Sequence, residues 1–184
     1  MTTVSIIGTA GRHGKMKSIT KSIFDQMCYT AEQTILKLGL KFSEIELVSG
    51  GAALADHIAV KLFLLLNTNL RLEIPCNWDF DKKQYVDNGQ YDWKSNPGRV
   101  SNLYHRQFQQ ATGINSLEEI NTVLQNINCK YNIGTGFHNR NNEIAKSEYV
   151  IAFTFNSELD GGTLDTWNKS KSSSEKKIQF QIFE

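Results

Sequence analysis

The chain has 184 residues, of which 40% are hydrophobic and 21% are charged, and its formal net charge is +1. These values are ordinary for one soluble globular domain, and the near-neutral charge argues against broad nucleic-acid binding and a polybasic membrane patch. No apolar run approaches the roughly 20 residues that span a bilayer, and the first residues lack the features of a signal peptide. Three widely separated cysteines fit free thiols in a reducing compartment, so we expect a cytosolic protein without a membrane partner.

The first part of the sequence predicts strands that alternate with helices. Residues 4–8 are apolar and β-branched, as in a strand buried on both faces, and residues 18–38 place their apolar side chains at helical spacing. A second buried strand, "IELVSGG", leads into the apolar helix "AALADHIAVKLFLLL", and "LRLEIP" is a third strand that ends at Pro75. Because that helix is too apolar for a free surface, we expect a homodimer.

The alternation stops between residues 76 and 112. This segment contains Trp78, Tyr85, Tyr91 and Trp93 and shows no clean hydrophobic period. It is too long for a structureless connection in a compact domain. We therefore predict an insertion with its own local structure, which acts as a lid.

The rest of the sequence returns to alternating elements. "SLEEINTVLQNI" predicts a helix with a serine cap, and "NEIAKS" predicts a short helix before the strand "YVIAFTF". The turn "NSELDGG" precedes the helix "TLDTWNKSK", and "KIQFQIF" predicts a final strand. A strand, a glycine loop and a helix follow one another three times. This order predicts one α/β domain over residues 1–184, with a mainly parallel sheet and helices on both faces.

The three glycine loops are expected at one edge of the sheet, because ligands of open α/β sheets bind where the carboxyl ends of the strands meet. Free N–H groups at a helix start and the helix dipole favour an anion such as phosphate. The predicted phosphate-binding residues of these loops are Gly8, Thr9, Gly11, Arg12, Gly50, Gly51, Gly161, Gly162 and Thr163.

Each of the first two loops also allows a simpler interpretation. The loop "GTAGRHGK" has neither the Walker spacing nor the dinucleotide fingerprint; its Arg12 either forks onto a phosphate or carboxylate or is a solvated side chain on a flexible turn. Gly50 and Gly51 either hold a phosphate or allow close packing of helix on sheet. Asp56 either accepts from a ribose hydroxyl or complements the helix dipole.

Two further polar clusters are candidates. "GTGFHNRNNEIA" places Arg140 and Asn141 before a short helix, where they form either a site or a turn whose asparagines pair with local backbone. "PGRVSNLYHRQF" forms either an ordinary exposed helix or a receiver for a phosphorylated ligand. In the second case its polar residues would face the cleft with Trp78 or Trp93; these residues are Arg99, Asn102, His105 and Arg106. No metal-ligand spacing or nucleophile elbow is present, so we predict no metal and no cofactor.

The segments "SGGAALADHIA", "RNNEIAKSEYVIAF" and "GGTLDT" resemble the SLOG superfamily. Its members are Rossmann-like domains related to the Lonely-guy nucleotide glycosidases, the molybdenum-cofactor carrier proteins and the DNA-processing protein of natural transformation. The resemblance covers residues 4–75 and 130–183, and the insertion has no counterpart. It implies a Rossmann-like fold and a nucleotide or nucleotide-derived ligand at the strand ends. The Lonely-guy signature is Gly-Gly-x-Gly-Thr followed by a catalytic glutamate; here it is shortened to residues 161–163, and Thr166, next to Asp165, holds the glutamate position.

Three functions follow as hypotheses. The first is a module that binds an ADP-ribose-like or cyclic nucleotide to sense or sequester it, and the Asn-, Lys- and Ile-rich composition suits an AT-rich phage genome whose product counters host signalling. The second is a hydrolase or transferase at the N-glycosidic bond of a nucleoside monophosphate or NAD-like substrate. That chemistry needs a carboxylate, for which Asp165 is the candidate, with Glu143 and Asp56 behind it. The third, a nucleic-acid-binding domain, has the least support because it needs a concentrated basic face.

Overall fold

The computed structural model describes residues 1–183. The strands within this range, β1 to β8 in chain order, are Thr2–Gly8, Ile45–Ser49, Asn69–Ile74, Trp78–Asp79, Gln84–Tyr85, Cys129–Ile133, Tyr149–Thr154 and Lys177–Gln181. The α-helices, α1 to α6, are Lys21–Lys37, His57–Leu65, Pro97–Thr112, Ser116–Leu124, Phe137–Ile144 and Gly161–Lys169. No described helix is long and apolar enough to cross a membrane.

Six of the strands form one sheet in the order β6-β3-β2-β1-β7-β8, and all neighbouring pairs are parallel. The strand β1 is central: Thr2 lies opposite Ile45 of β2, and Val4 lies opposite Tyr149 of β7. The strands β4 and β5 form a separate antiparallel hairpin. The prediction of an α/β fold with a parallel sheet and helices on both faces is therefore confirmed, and the architecture is Rossmann-like.

The sheet is buried on both faces near its centre because successive β1 residues point to opposite sides. Val4 and Ile6 belong to the larger core, which helices α1 to α4 cover, and Ile7 belongs to a smaller core on the other face. Members of the larger core from the helices are Phe24, Met27, Ile35, Ile58, Leu62, Phe108, Ile120 and Val123. The smaller core joins Val48, Val150 and Ala152 to Ile144 of α5, with Leu159 and Trp167 packed against it.

Most of the apolar side chains of α2 are buried within one chain. The helix packs against α1 and α4, and its residues Ile58, Ala59, Val60 and Leu62 are buried. Leu64 and Leu65 at its end stay exposed, so only part of the apolar surface from which the homodimer was inferred is covered. The homodimer stays a prediction.

The predicted insertion contains the β4–β5 hairpin and the helix α3. Asn96 caps α3 by accepting a hydrogen bond from the Arg99 N–H at 3.3 Å, and Pro97 occupies the first helical position. The face that α3 buries is largely polar and includes Ser101, Asn102 and His105. This polar face explains why the sequence showed no hydrophobic period there.

One strand that was not predicted and two helix starts differ from the sequence-based expectation. The strand β6 was not predicted, since it lies at the sheet edge and four of its five residues are exposed. The helix α2 begins at His57 instead of Ala52, and α5 begins at Phe137 instead of Asn142. Both shifts matter for the site, because residues 52–56 become a loop and the first turn of α5 moves to the sheet edge.

Asn102 of α3 holds this helix to the strand β5, so the two parts of the insertion are joined. Its Oδ1 accepts from the Tyr85 N–H at 3.0 Å, and its Nδ2 donates to the Tyr85 carbonyl at 2.8 Å. Both bonds are buried, so truncation of the side chain leaves two backbone groups without partners. Asn102→Ala should lower the free energy of unfolding by about 2–4 kcal/mol. Urea denaturation followed by circular dichroism measures this change.

Arg106→Ala is the matched control, because Arg106 lies on the same helix and is exposed. The control should change the free energy of unfolding by about 0.5 kcal/mol or less. Equal effects of the two substitutions would contradict the role given to Asn102.

Candidate functional site

A cleft opens at the carboxyl ends of β1 and β7, the point where the strand order changes direction. This is the place where open α/β sheets bind ligands. The cleft encloses about 830 Å³, including the solvent at its mouth. The predicted ligand residues among those that line it are Gly8, Thr9, Arg12, Asp56, Arg140, Gly161, Gly162 and Thr163.

The loop after β1 forms one wall and depends on the absence of a side chain at Gly8. A Cβ there would lie 2.1 Å from the Phe153 carbonyl oxygen and 2.7 Å from the Ala55 Cβ, so only glycine allows β7 and the β2–α2 loop to approach. The Thr9 N–H donates to the same Phe153 carbonyl at 3.0 Å. Gly11 packs on Met16 and does not line the cleft, whereas Arg12 lines it with an exposed side chain.

The floor of the cleft contains a buried carboxyl group and a buried guanidinium group. Asp56 is 4% exposed and Arg140 is 9% exposed. A Cβ on Gly50 would lie 2.7 Å from the Asp56 Oδ2 and 2.6 Å from the Arg140 Cζ, so both side chains pack onto the bare Gly50 backbone. The Arg140 Nη1 donates to the Gly50 carbonyl at 2.9 Å. Gly50 thus supports the site through packing and does not itself line the cleft.

Burial raises the pKa of the Asp56 carboxyl above its ordinary value of 3.8. The Arg140 guanidinium and the N–H groups of Ala52, Gly50 and Gly8 act in the opposite direction, but burial has the larger effect. The protonated form of Asp56 is therefore favoured relative to an exposed aspartate. A carboxyl in this state can donate a hydrogen bond or a proton to a bound molecule.

The start of α6 forms the opposite wall. The first intrahelical bond runs from the Leu164 N–H to the Asp160 carbonyl at 3.0 Å, so the N–H groups of Gly161, Gly162 and Thr163 have no acceptor within the helix. The Arg12 Nη1 lies 3.3 Å from the point where a Cβ on Gly161 would stand. A guanidinium and free N–H groups therefore meet at one place in the cleft, an arrangement that favours an anion.

Gly51, Asn102 and His105 lie behind the cleft and not in it. The Tyr85 hydroxyl donates to the Gly51 carbonyl at 2.5 Å, and the His105 Nε2–H donates to the same oxygen at 3.0 Å. The His105 Nδ1 accepts from the Ser116 hydroxyl at 2.8 Å. Burial lowers the pKa of His105 to about 3, so the ring is neutral at physiological pH. These contacts hold the β2–α2 loop in place, and the structure does not bring the two side chains to the ligand.

The two arginines of α3 also lie outside the cleft. Arg99 stacks on the Tyr91 ring with its Cζ 4.3 Å from the centroid, and Arg106 is exposed on the outer side of the helix. Val100, Ser101 and Tyr104 of the same helix line the cleft instead. The expectation that Arg99 and Arg106 face the ligand is therefore corrected: α3 forms a wall of the cleft through other residues.

Two of the three candidate catalytic acids, Asp165 and Glu143, lie outside the cleft. Asp165 accepts from the Asn141 Nδ2 at 3.1 Å and from the Lys169 Nζ at 2.9 Å. Burial raises the pKa of Asp165, but these hydrogen bonds outweigh it and the net shift is downward. Glu143 pairs with Lys146 at 2.7 Å on the surface. Neither acid lines the cleft. Asn141 does not line it either; it connects α5 to the Gly162 carbonyl at 3.4 Å.

The sequence interpretation missed several lining residues. His13 and Lys15 belong to the first glycine loop, so their position in that loop could have identified them; Thr166 follows the chosen Asp165, and Phe137 belongs to the same polar cluster as Arg140. Tyr104 carried no signal, because the face of α3 that meets the cleft could not be derived from the sequence. With Arg12 and Arg140, the added residues give the cleft more basic than acidic groups, which supports an anionic ligand.

Asp56→Asn should change how stability depends on pH. The raised folded pKa means that the folded state binds more protons than the unfolded state once the pH exceeds 3.8, so the wild type loses stability as the pH rises toward the folded pKa. The variant lacks this titration, and its melting temperature relative to wild type should increase between pH 4 and pH 8. Scanning calorimetry across that range measures the difference. A constant difference would contradict the burial argument.

Comparison with known proteins gives a viral relative. No protein-family model matches the chain, and no solved structure matches it significantly. The chain is 40% identical over 186 aligned positions to "Uncharacterized protein R261" of Acanthamoeba polyphaga mimivirus, and the alignment covers 98% of this chain and 97% of that protein. With this identity across nearly the full length of both, the chain belongs to the same family as the mimivirus protein.

Proposed function

We propose that the protein binds a nucleotide or a nucleotide-derived signal, such as an ADP-ribose-like or cyclic nucleotide, in order to sense or sequester it. The observation that carries the proposal is the meeting of Arg12 with the free N–H groups of the α6 first turn, in a cleft at the switch point of a parallel sheet. A phosphate fits both the charge and the donors of that place. The resemblance to the SLOG superfamily supports the same class of ligand.

Two features favour binding over N-glycosidic cleavage. Thr166, which holds the position of the catalytic glutamate in the resemblance, lines the cleft, and its hydroxyl donates to the Gly162 carbonyl at 3.0 Å. Its neighbour Asp165 is turned to Asn141 and Lys169. The carboxylate that such cleavage needs beside the sugar is thus replaced by a hydroxyl at this position.

The viral relative suits the sequestering form of the proposal. A virus gains when a host signalling nucleotide is held in an inactive complex, and holding requires a cleft without turnover. The mimivirus protein supports a viral setting and carries no information on a ligand. The cleft and the viral relative together support the sequestering form of the proposal.

N-glycosidic hydrolysis or transfer stays a second candidate because of Asp56. Its buried carboxyl lines the cleft and has a raised pKa, so it could donate a proton to a leaving base while water attacks the anomeric carbon, and the resulting carboxylate then takes the proton that the water loses. Chromatography of nucleoside monophosphates and NAD after incubation with the protein tests this candidate. Free base that disappears with Asp56→Asn would favour the enzyme over the binding module.

Arg12→Ala should weaken a phosphorylated ligand by about 1.5–3 kcal/mol, the usual loss for a charge-assisted hydrogen bond. Isothermal titration calorimetry with ADP-ribose, cyclic AMP and the four nucleoside monophosphates measures the effect on whichever compound binds. Arg106→Ala is the matched control, since it removes the same charge from an exposed position outside the cleft.

Two results would contradict the proposal. One is the absence of binding across the whole set, together with no nucleotide released from the purified protein by denaturation. The other is equal weakening by Arg12→Ala and Arg106→Ala, which would mean that only the net charge of the surface matters.

A further inference from the structure

The loop before α3 carries an exposed tryptophan next to the mouth of the cleft. Trp93 is 43% exposed, and its ring centroid lies 6.1 Å from that of Phe137 and 6.3 Å from that of His138, both in the first turn of α5. Phe137 lines the cleft, so the aromatic surface continues from the cleft interior to the loop. We call Trp93 and Phe137 together the aromatic platform.

Hydrogen bonds hold the loop that presents Trp93. The Asn96 Nδ2 donates to the Asp87 Oδ1 at 2.6 Å and to the Gln90 carbonyl at 2.8 Å, and the Asn96 N–H donates to the Asp92 carbonyl at 2.8 Å. Asn96 is 1% exposed. The backbone of the loop that carries Trp93 is therefore held before a ligand arrives, which reduces the ordering that binding requires.

The position of the platform relative to the anion site limits what it can bind. Phe137 belongs to α5, whereas Arg12 and the α6 first turn belong to the wall that would hold phosphate. A ligand that fills both places has an anionic end and a flat apolar end, as a nucleotide does. Tyr104 of α3 adds a further aromatic side chain to the cleft lining.

We propose that the aromatic platform of Trp93 and Phe137 binds the base of the nucleotide whose phosphate the cleft holds. This inference rests on the proposed function and narrows its ligand to compounds that carry a nucleobase, to the exclusion of sugar phosphates. The base stacks on the Trp93 ring, whose electron-rich face also attracts Lys94, with its Nζ 5.6 Å from the centroid. Stacking of this type is tolerant of base identity, so selectivity among bases requires other contacts.

Calorimetry with ribose 5-phosphate and with the four ribonucleoside monophosphates tests the inference, because each nucleotide is the sugar phosphate with a base added. Trp93→Ala should weaken the nucleotides that bind the wild type by roughly 5- to 150-fold, the range for loss of one base–aromatic stack. It should leave ribose 5-phosphate unchanged. Trp93→Phe should retain most of the nucleotide affinity.

Tyr91→Ala is the control, since Tyr91 belongs to the same loop and is 86% exposed, but its ring stacks on Arg99 and not on Phe137. Fluorescence gives a second measurement: a nucleotide should quench emission excited at about 295 nm more in the wild type than in Trp93→Phe, because Trp78 is buried and Trp167 is partly buried against the smaller core.

Two results would overturn the platform while the phosphate site stands. One is nucleotide affinity that does not change in Trp93→Ala. The other is ribose 5-phosphate that binds as tightly as each of the four nucleotides. Failure of all five compounds to bind, together with failure of ADP-ribose and cyclic AMP, overturns the platform and the nucleotide proposal together.

Discussion

Two successive carbonyl groups at the end of β2 determine the shape of the cleft. The Gly50 oxygen accepts from Arg140 of α5, and the Gly51 oxygen accepts from the Tyr85 hydroxyl and the His105 ring of the insertion. The loop that carries Asp56 is therefore held from α5 on one side and from the insertion on the other. Through this loop the insertion helps to shape the site, although it has no counterpart in the superfamily that the sequence resembles.

The balance of charges at the cleft floor follows from the same contacts. A buried guanidinium and a buried carboxyl are costly unless each has partners, and the bare Gly50 backbone lets both approach. The neutral His105 adds a hydrogen bond to the loop without adding a third buried charge. The floor is thus held by polar contacts of Arg140 with the Gly50 backbone, and burial raises the pKa of the Asp56 carboxyl beside it.

The sequence predicted those parts of the fold in which the buried side chains are apolar. The strands β1, β2 and β7 are nearly continuous apolar runs, and glycines mark their ends, so both the parallel sheet and its functional edge could be predicted. The helix α3 and the strand β6 could not, because α3 buries Asn102 and His105 for hydrogen bonds and β6 exposes Tyr131 and Ile133 at the edge. A hydrophobic period records burial only when the buried side chains are apolar.

The candidate site shows the same division. Gly8, Arg12 and Gly161 lie in loops whose place is set by the strands, so sequence position was enough to bring them to the cleft. For α3 the residue types were evident from the sequence, but the face of the helix that meets the cleft was not. Polar side chains that hydrogen-bond to the protein and polar side chains that bind a ligand are of the same residue types. His105 hydrogen-bonds to the protein, through the Ser116 hydroxyl and the Gly51 carbonyl.

The central position of β1 has a consequence for the order of folding. Its neighbour β2 lies about 40 residues away along the chain, but its other neighbour pairs Val4 with Tyr149. Contacts of such long sequence separation require the closure of a large loop and slow the folding of a domain. On the ribosome, the first strand leaves the exit tunnel long before β7 exists, and one of its edges stays open meanwhile. The wall between β1 and β7 is therefore completed late, after most of the chain has been synthesised.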